Sequence, residues 1–419
     1  AVRVGGLEAF ETDVEIPLRY GVDQCVGDTL SIGGVMYGQR VIAQMLDFCR
    51  DMRAVCAPGV LHLNYSNPNA MVTWACNEFG GVNTIGLCHG EMHGEQQIAE
   101  ALGFKDRSEL DFICAGLNHQ TWYLSVKHKG VELKDRILDA YLKKEKLSRE
   151  EKVRIDMLKR FGHYSTESNG HLSEYLAWYR KRPGEIVDWI DMGSWINGET
   201  GGYLRVCREG RDWFETDYPN WLKEPAKKYD GSARGMEHGS YIVESLETGR
   251  PYRGHFNVVN RGAIENLPND CVVEVPCYVD GNGISVPKVG PLPDGCAAVC
   301  AQSVWVQRLA VKAAVAGDAQ LLKQAALLDP LTGAVCNPPE VWQMVDEMLI
   351  AQEAWLPQYG AEIVSAKARM EQAKADGSWI APRDYHGAAR LQARTVEEMS
   401  QDAEKMRRLA SAAAKEKVE

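Results

Sequence analysis

Residues 60–90, VLHLNYSNPNAMVTWACNEFGGVNTIGLCHG, decide the fold. Within it VLHLNYSNP (60–68) and VNTIGLCHG (82–90) read as strands, each broken by Asn-Pro or Gly. A helical stretch at 69–79 lies between them. Strand, helix, strand within about thirty residues is the unit of a parallel, layered sheet. Further helices are predicted over 35–53 and 92–103, so residues 1–125 read as an α/β unit. From 134 to 230 the sequence is helical, with Gly clusters near 198–202. Residues 251–284, rich in β-branched and turn residues, predict a small antiparallel sheet. After about 300 the chain is helical again, and 361–419, rich in Ala, Glu, Lys and Arg, reads as a solvated helix or frayed tail.

Composition narrows the function classes. At 419 residues, 45% hydrophobic and 25% charged, the chain can bury a sizeable core in one large or two medium domains. A formal charge of −11 argues against a nucleic-acid or anionic-membrane footprint, which needs clustered Lys and Arg. A small molecule is the expected partner. Twelve cysteines without a CxxC pair do not form a disulfide framework, and reduced thiols in a cytoplasm are expected. No apolar run approaches the roughly 20 residues of a spanning helix.

Ligands of α/β sheets gather at the carboxyl ends of strands. Asn67-Pro68, Cys88-His89 and, in CAGLNHQTWY (114–123), Asn118-His119 all sit where predicted strands stop. Cys88 and His119 are too far apart for one helix face, but adjacent strand ends would bring them together. One thiolate and one imidazole could hold a divalent cation and leave most of its shell to a substrate. A packed core cysteine and a hydrogen-bonded structural histidine are the competing readings.

Four ordered motifs alter that balance. LNYSNPNAM (63–71), GLCHG (86–90), AGLNHQTWY (115–123) and NLPNDCVVEVPCYVDGNGI (266–284) together resemble family 4 of the glycoside hydrolases. These are the NAD- and manganese-dependent α-galactosidases, α-glucosidases and 6-phosphoglycosidases, which depart from the two-carboxylate mechanism. The resemblance runs from residue 1 to about 360. It implies a Rossmann-like parallel sheet domain over 1–125, a mixed α+β substrate and oligomerisation domain of the lactate/malate dehydrogenase-like type over 126–360, and a helical extension over 361–419. A homodimer or homotetramer is expected.

The resemblance also implies a mechanism: oxidation at sugar C3, removal of the acidified C2 proton, elimination of the glycosidic oxygen, addition of water and return of the hydride. Cys88 and His119 match the metal ligands. Asn67 and Asn118 would hydrogen-bond substrate, although both could be turn formers. His89 follows the metal cysteine where relatives acting on free α-hexosides carry His, whereas those acting on 6-phosphosugars carry Asp or Asn. The expected substrate is therefore an unphosphorylated α-galactoside or α-glucoside, with an α-hexuronide as the alternative. In GVDQCVGDTLSIGG (21–34), Asp28 aligns with a proposed leaving-group acid, an Asx turn being the other account. In RGMEHGSYIVESLETG (234–249), His238 and then Tyr241 are the expected bases.

The opening departs from the family. A G-x-G-S phosphate loop is not found, and VRVGGLEAF (2–10) matches a point about 80 residues into a typical member by domain length, so the sheet domain is expected to be an incomplete copy. Gly5 and Gly6 are expected near the nicotinamide half of NAD. A hydroxyacid dehydrogenase or an impaired fragment are the rival classes; the former would need no metal.

Overall fold

The computed structural model describes residues 3–193, 197–226, 234–395, 397–399 and 401. Its spine is one mixed sheet of β1 (Leu61–Asn64), β2 (Asn83–Gly86), β3 (Asp111–Leu117), β4 (Gln120–His128), β5 (Val131–Glu132), β6 (Tyr252–Val259), β7 (Val272–Asp280) and β8 (Gly283–Ser285). The order is β1-β2-β6-β7-β3-β4-β5, with β8 paired to β7. β1 and β2 run parallel, Leu61 to Asn64 opposite Asn83 to Gly86, and the other pairs are antiparallel.

The strand-helix-strand reading of 60–90 is therefore met: α3 (Asn69–Glu78) joins β1 to β2, preceded by α1 (Gly6–Arg19) and α2 (Ser31–Val55) and followed by α4 (Gly90–Leu102). The reading of 251–284 as a sheet of its own is not. Its strands do pair with each other as expected, but they insert between β2 and β3. The cause lies in β7, where Val272, Val273, Val275, Cys277 and Val279 are all buried. Valines at successive positions point to opposite faces, and a strand apolar on both faces is stable only where both are covered. One covering layer is α2, α3 and the helix Asp294–Ala316, which pack on one another, with α3 resting on β2, β6 and β7.

Residues 361–395 are also more than a solvated tail, and 402–419 lie outside the described residues. After the helix Gly360–Asp376 the chain returns across the body. Arg383 N–H donates to Arg19 O (2.7 Å), Thr200 N–H to Ala389 O (2.8 Å) and Arg394 N–H to Glu209 (2.9 Å). Tyr385 donates to the fully buried Asp23, which also pairs with Arg180. Among the described residues, no helix is long and apolar enough to cross a membrane.

Candidate active site

Three backbone devices converge at one end of the sheet. After β2 the chain runs through Leu87 and Cys88 directly into α4, whose first amide, Gly90 N–H, points at Cys88 Sγ (3.4 Å). Between β3 and β4 the turn is two residues long, Leu117 facing Gln120, and His119 sits there at φ +62°. A bulky residue in the left-handed region is uncommon and is found where surrounding structure over-determines it. The third device is a bridge between Trp122 and Ser165, reinforced by Thr166 N–H donating to Thr121 O (2.9 Å), which lays residues 165–168 against the hairpin. It delivers Glu167.

Cys88 Sγ lies 3.3 Å from His119 Nε2 and 3.8 Å from Glu167 Oε2, and His119 Nε2 is 3.4 Å from the same carboxylate. Sulfur, nitrogen and oxygen donors thus fall within 4.8 Å of one another. A Cβ on Gly90 would stand 1.9 Å from Glu167 Oε2, so the carboxylate can lie there only because residue 90 has none. His119 Nδ1 meets Tyr175 Oη at 3.4 Å, leaving Nε2 turned to the cluster.

The electrostatics suit a cation. Burial, then the carboxylates of Glu167, Glu274 and Glu91, push the Cys88 thiol well above its ordinary range. Burial also works to raise Glu167, but the facing rings of His119, His171 and His89 outweigh it and hold that carboxyl below its usual value. Burial, then His119, brings His171 down to about 4. A divalent cation would draw off the thiol proton and compensate both anions.

The cluster opens into a cavity of about 410 Å³. Of the residues expected from sequence, Asp28, Asn67, Cys88, His89 and His119 line it. Asp28 accepts hydrogen bonds from Thr29 Oγ1 (2.8 Å) and Asn67 Nδ2 (3.2 Å), and Arg3 lies 4.0 Å away. His89 is exposed, its ring tilted by 59° against that of His93 with the centroids 4.9 Å apart.

Other expected residues are not brought here. Asn118 is fully buried, with Nδ2 turned to Glu274 (3.4 Å) behind the hairpin. Gly5 and Gly6 do not line the cavity; with φ of +83° and +53° they turn the chain into α1, so that Arg3 reaches Asp28. His238 and Tyr241 lie beside a different cavity, about 390 Å³, behind the Cys88 turn. The helix His238–Thr248 buries its His238 face against Phe256 of β6. Both His238 nitrogens are engaged, Nδ1 with Tyr252 Oη (2.7 Å) and Nε2 with Cys88 O (3.1 Å) and Glu91 (3.0 Å). Burial lowers His238 to about 4.

The sequence reading missed Glu167, His171, Arg154 and Tyr203, all of which line the cavity. The first three lie in segments with no strand-end signal. Tyr203 directly follows the Gly clusters at 198–202, and Arg3 lies over its ring (5.3 Å).

Known proteins resemble this chain in sequence and fold. The profile described as family 4 glycosyl hydrolase matches residues 1–104, and that of the family 4 glycosyl hydrolase C-terminal domain matches 114–332. An alpha-galactosidase of Rhizobium meliloti (strain 1021) is 56% identical over 404 residues, 96% of this chain and 81% of that protein. An alpha-galactosidase of Bacillus subtilis (strain 168) is 33% identical, over 86% and 81%. Among solved structures, a 6-phospho-alpha-glucosidase from gut microorganisms in complex with NAD and glucose-6-phosphate gives a TM-score of 0.65 at 26% identity, over 85% of this chain and 80% of that one. One in complex with NAD and Mn2+ gives 0.67 at 22%, over 84% and 80%.

Proposed function

The chain belongs to family 4 of the glycosyl hydrolases, and from that membership we propose that it hydrolyses an unphosphorylated α-hexoside, an α-galactoside before an α-glucoside, with Mn2+ and NAD. The observation that carries the reading is the meeting of Cys88, His119 and Glu167 in a cavity large enough for a sugar. The names of the two alpha-galactosidases support the galactoside.

Cys88, His119 and Glu167 would hold the cation; thiolate is a soft partner for Mn2+, and the Glu167 oxygen makes the set harder. When bound, the cation supplies a Lewis acid for sugar oxygens, and NAD a reversible hydride acceptor. The described residues include no Gly-rich turn fitted to a pyrophosphate.

The chain's own side chains account for the proton movements. Asp28, steadied by Asn67, donates to the departing glycosidic oxygen. The proton acceptor is Tyr203 instead of His238 or Tyr241. Tyr203 faces the cavity, and although burial raises its phenol, the Arg3 guanidinium works to lower it. His238 holds the Cys88 carbonyl. Among the described residues the twelve cysteines form no disulfide, which suits a reducing cytoplasm.

The test is a panel of aryl α-glycosides, galacto, gluco, galacturono and glucurono, incubated with Mn2+, NAD and a thiol reductant in deuterated water. Cleavage of the galactoside with deuterium at C2 of the released sugar is expected, since a base that exchanges with solvent handles that proton. Cleavage without deuterium at C2, or no cleavage of any substrate, would sink the proposal.

A further inference from the structure

Asp28 and Tyr203 reach the cavity from two segments that lie side by side. Gly201 N–H donates to Gln24 O (2.8 Å) and Tyr203 N–H to Cys25 O (3.2 Å), so two backbone hydrogen bonds join residues 24–25 to 201–203. Arg3 spans their far ends, 4.0 Å from Asp28 and over the Tyr203 ring. Neither segment belongs to the sheet. What fixes the pair lies at its other end.

There Asp23, fully buried, gathers donors from three parts of the chain. Thr200 Oγ1 lies 2.8 Å from both of its carboxylate oxygens. Arg180 pairs with the same carboxylate and donates to Asp23 O, while its Nη1 donates to Gly198 O (2.7 Å). The third part is a carboxyl-terminal strap, residues 383–394: Tyr385 Oη and Ala388 N–H (3.1 Å) both donate to Asp23 Oδ2. Burial, then the Asp23 charge, pushes the Tyr385 phenol up, which keeps it a donor. A buried carboxylate is tolerated only while donors satisfy it, so removing one donor disturbs the whole network.

The strap also grips Thr200 directly. Thr200 N–H donates to Ala389 O (2.8 Å), and Ala389 N–H donates back to Thr200 Oγ1 (3.3 Å). Beside them Gly387 has φ +101°, and a Cβ on it would stand 2.5 Å from Thr200 Cγ2. A residue without a side chain permits both the conformation and the approach. Further on, Arg394 N–H donates to Glu209 (2.9 Å), the last residue of the helix Gly202–Glu209 that carries Tyr203. The strap thus holds Asp23, five residues before Asp28, and Thr200, three before Tyr203, while none of its own residues lines the cavity.

Resting on the reading of Asp28 as acid and Tyr203 as proton acceptor, we propose that the strap positions both, acting through Tyr385 and Gly387. The metal cluster is held separately, by the β3–β4 hairpin and the Trp122–Ser165 bridge. The test compares the 419-residue chain with Tyr385→Phe and Gly387→Ala. Amide hydrogen exchange followed by mass spectrometry should quicken by about tenfold or more over 24–27 and 200–203 and stay at the wild-type rate over 111–123. With Mn2+ and NAD, kcat on aryl α-galactosides should fall by about ten- to a hundredfold, more for poor leaving groups than for nitrophenol, at unchanged Mn2+ affinity. A strap that merely stabilises would lower the melting temperature and leave kcat of the folded enzyme and its leaving-group dependence at wild-type values. That result overturns the proposal, as does unchanged exchange over 24–27 and 200–203. Tyr385→Phe removes a single oxygen and keeps the test decisive if Gly387→Ala fails to fold; failure of both to fold also overturns it. A wild type that cleaves no substrate sinks the glycosidase reading instead, and the exchange rates alone then decide whether the strap orders the two segments.

Discussion

The sulfur of Cys88 and Nε2 of His119, 31 residues apart in sequence, lie 3.3 Å apart. Neither residue owes that position to its neighbours in the chain, because two other strands separate β2 from β3. The pair is a product of the assembled sheet, which makes it sensitive to small local changes that leave the sheet standing.

Cys88→Ser should fold like the wild type and lose Mn2+ affinity by more than about 100-fold, because losing a ligand should exceed the 10–100-fold cost of losing a residue that merely orients one. Titration of Mn2+ followed by electron paramagnetic resonance checks this. An unchanged affinity would remove Cys88 from the ligand set.

Gly90→Ala makes a sharper case. The new methyl would meet Glu167 Oε2 at 1.9 Å, and the carboxylate, being the far end of a flexible side chain, should move aside. Mn2+ affinity should fall by roughly 10–100-fold with little change in melting temperature. Collapse of the fold instead would mean that Gly90 serves backbone packing.

Tyr203→Phe and His238→Gln should part company. The first is expected to lower kcat by about 10² to 10⁴, the usual worth of a positioned proton acceptor. The second should lower stability by roughly 1–3 kcal/mol through the buried partners it disturbs while costing less than about tenfold in kcat/KM. The opposite pattern would return the base to His238.

Glu174 predicts a pH effect. Its carboxyl accepts the backbone N–H groups of Cys25 (2.6 Å), Val26 (3.0 Å) and Gly27 (3.1 Å), yet burial still carries it from 4.5 to about 7. The folded state therefore binds the proton more tightly than the unfolded chain. Its contribution to stability is full below about pH 4.5 and is lost as pH rises to about 7. In urea midpoints measured between pH 4.5 and 7.5, wild type should lose ground relative to Glu174→Gln as pH rises. A difference that stays flat or grows in the other direction would refute it.

What could be read in the sequence was whatever depended on local pattern. Strand ends at Asn67, Cys88 and His119 stand out because apolar runs stop there at turn formers, and all three residues line the cavity. The mixed sheet could not be read that way, since the entry of β6 and β7 between β2 and β3 is a matter of long-range burial. Glu167 was invisible for the same reason: it reaches His119 only through the Trp122–Ser165 bridge. The placement of His238 could not be read either, because a helical residue can present its face to the core, as its contacts with Phe256 and Tyr252 do here.

The order of strands also has a consequence in time. Cys88 and His119 leave the ribosome early, but the hairpin that spaces them, β6 and β7, is complete only at Asp280. At about 5–20 residues per second, many seconds pass during which both ligands exist and their native separation does not. A nascent chain arrested short of that hairpin has no native three-donor cluster to offer, so the cation can mark only chains whose sheet is finished. Metal loading would thus report a finished sheet rather than a finished chain.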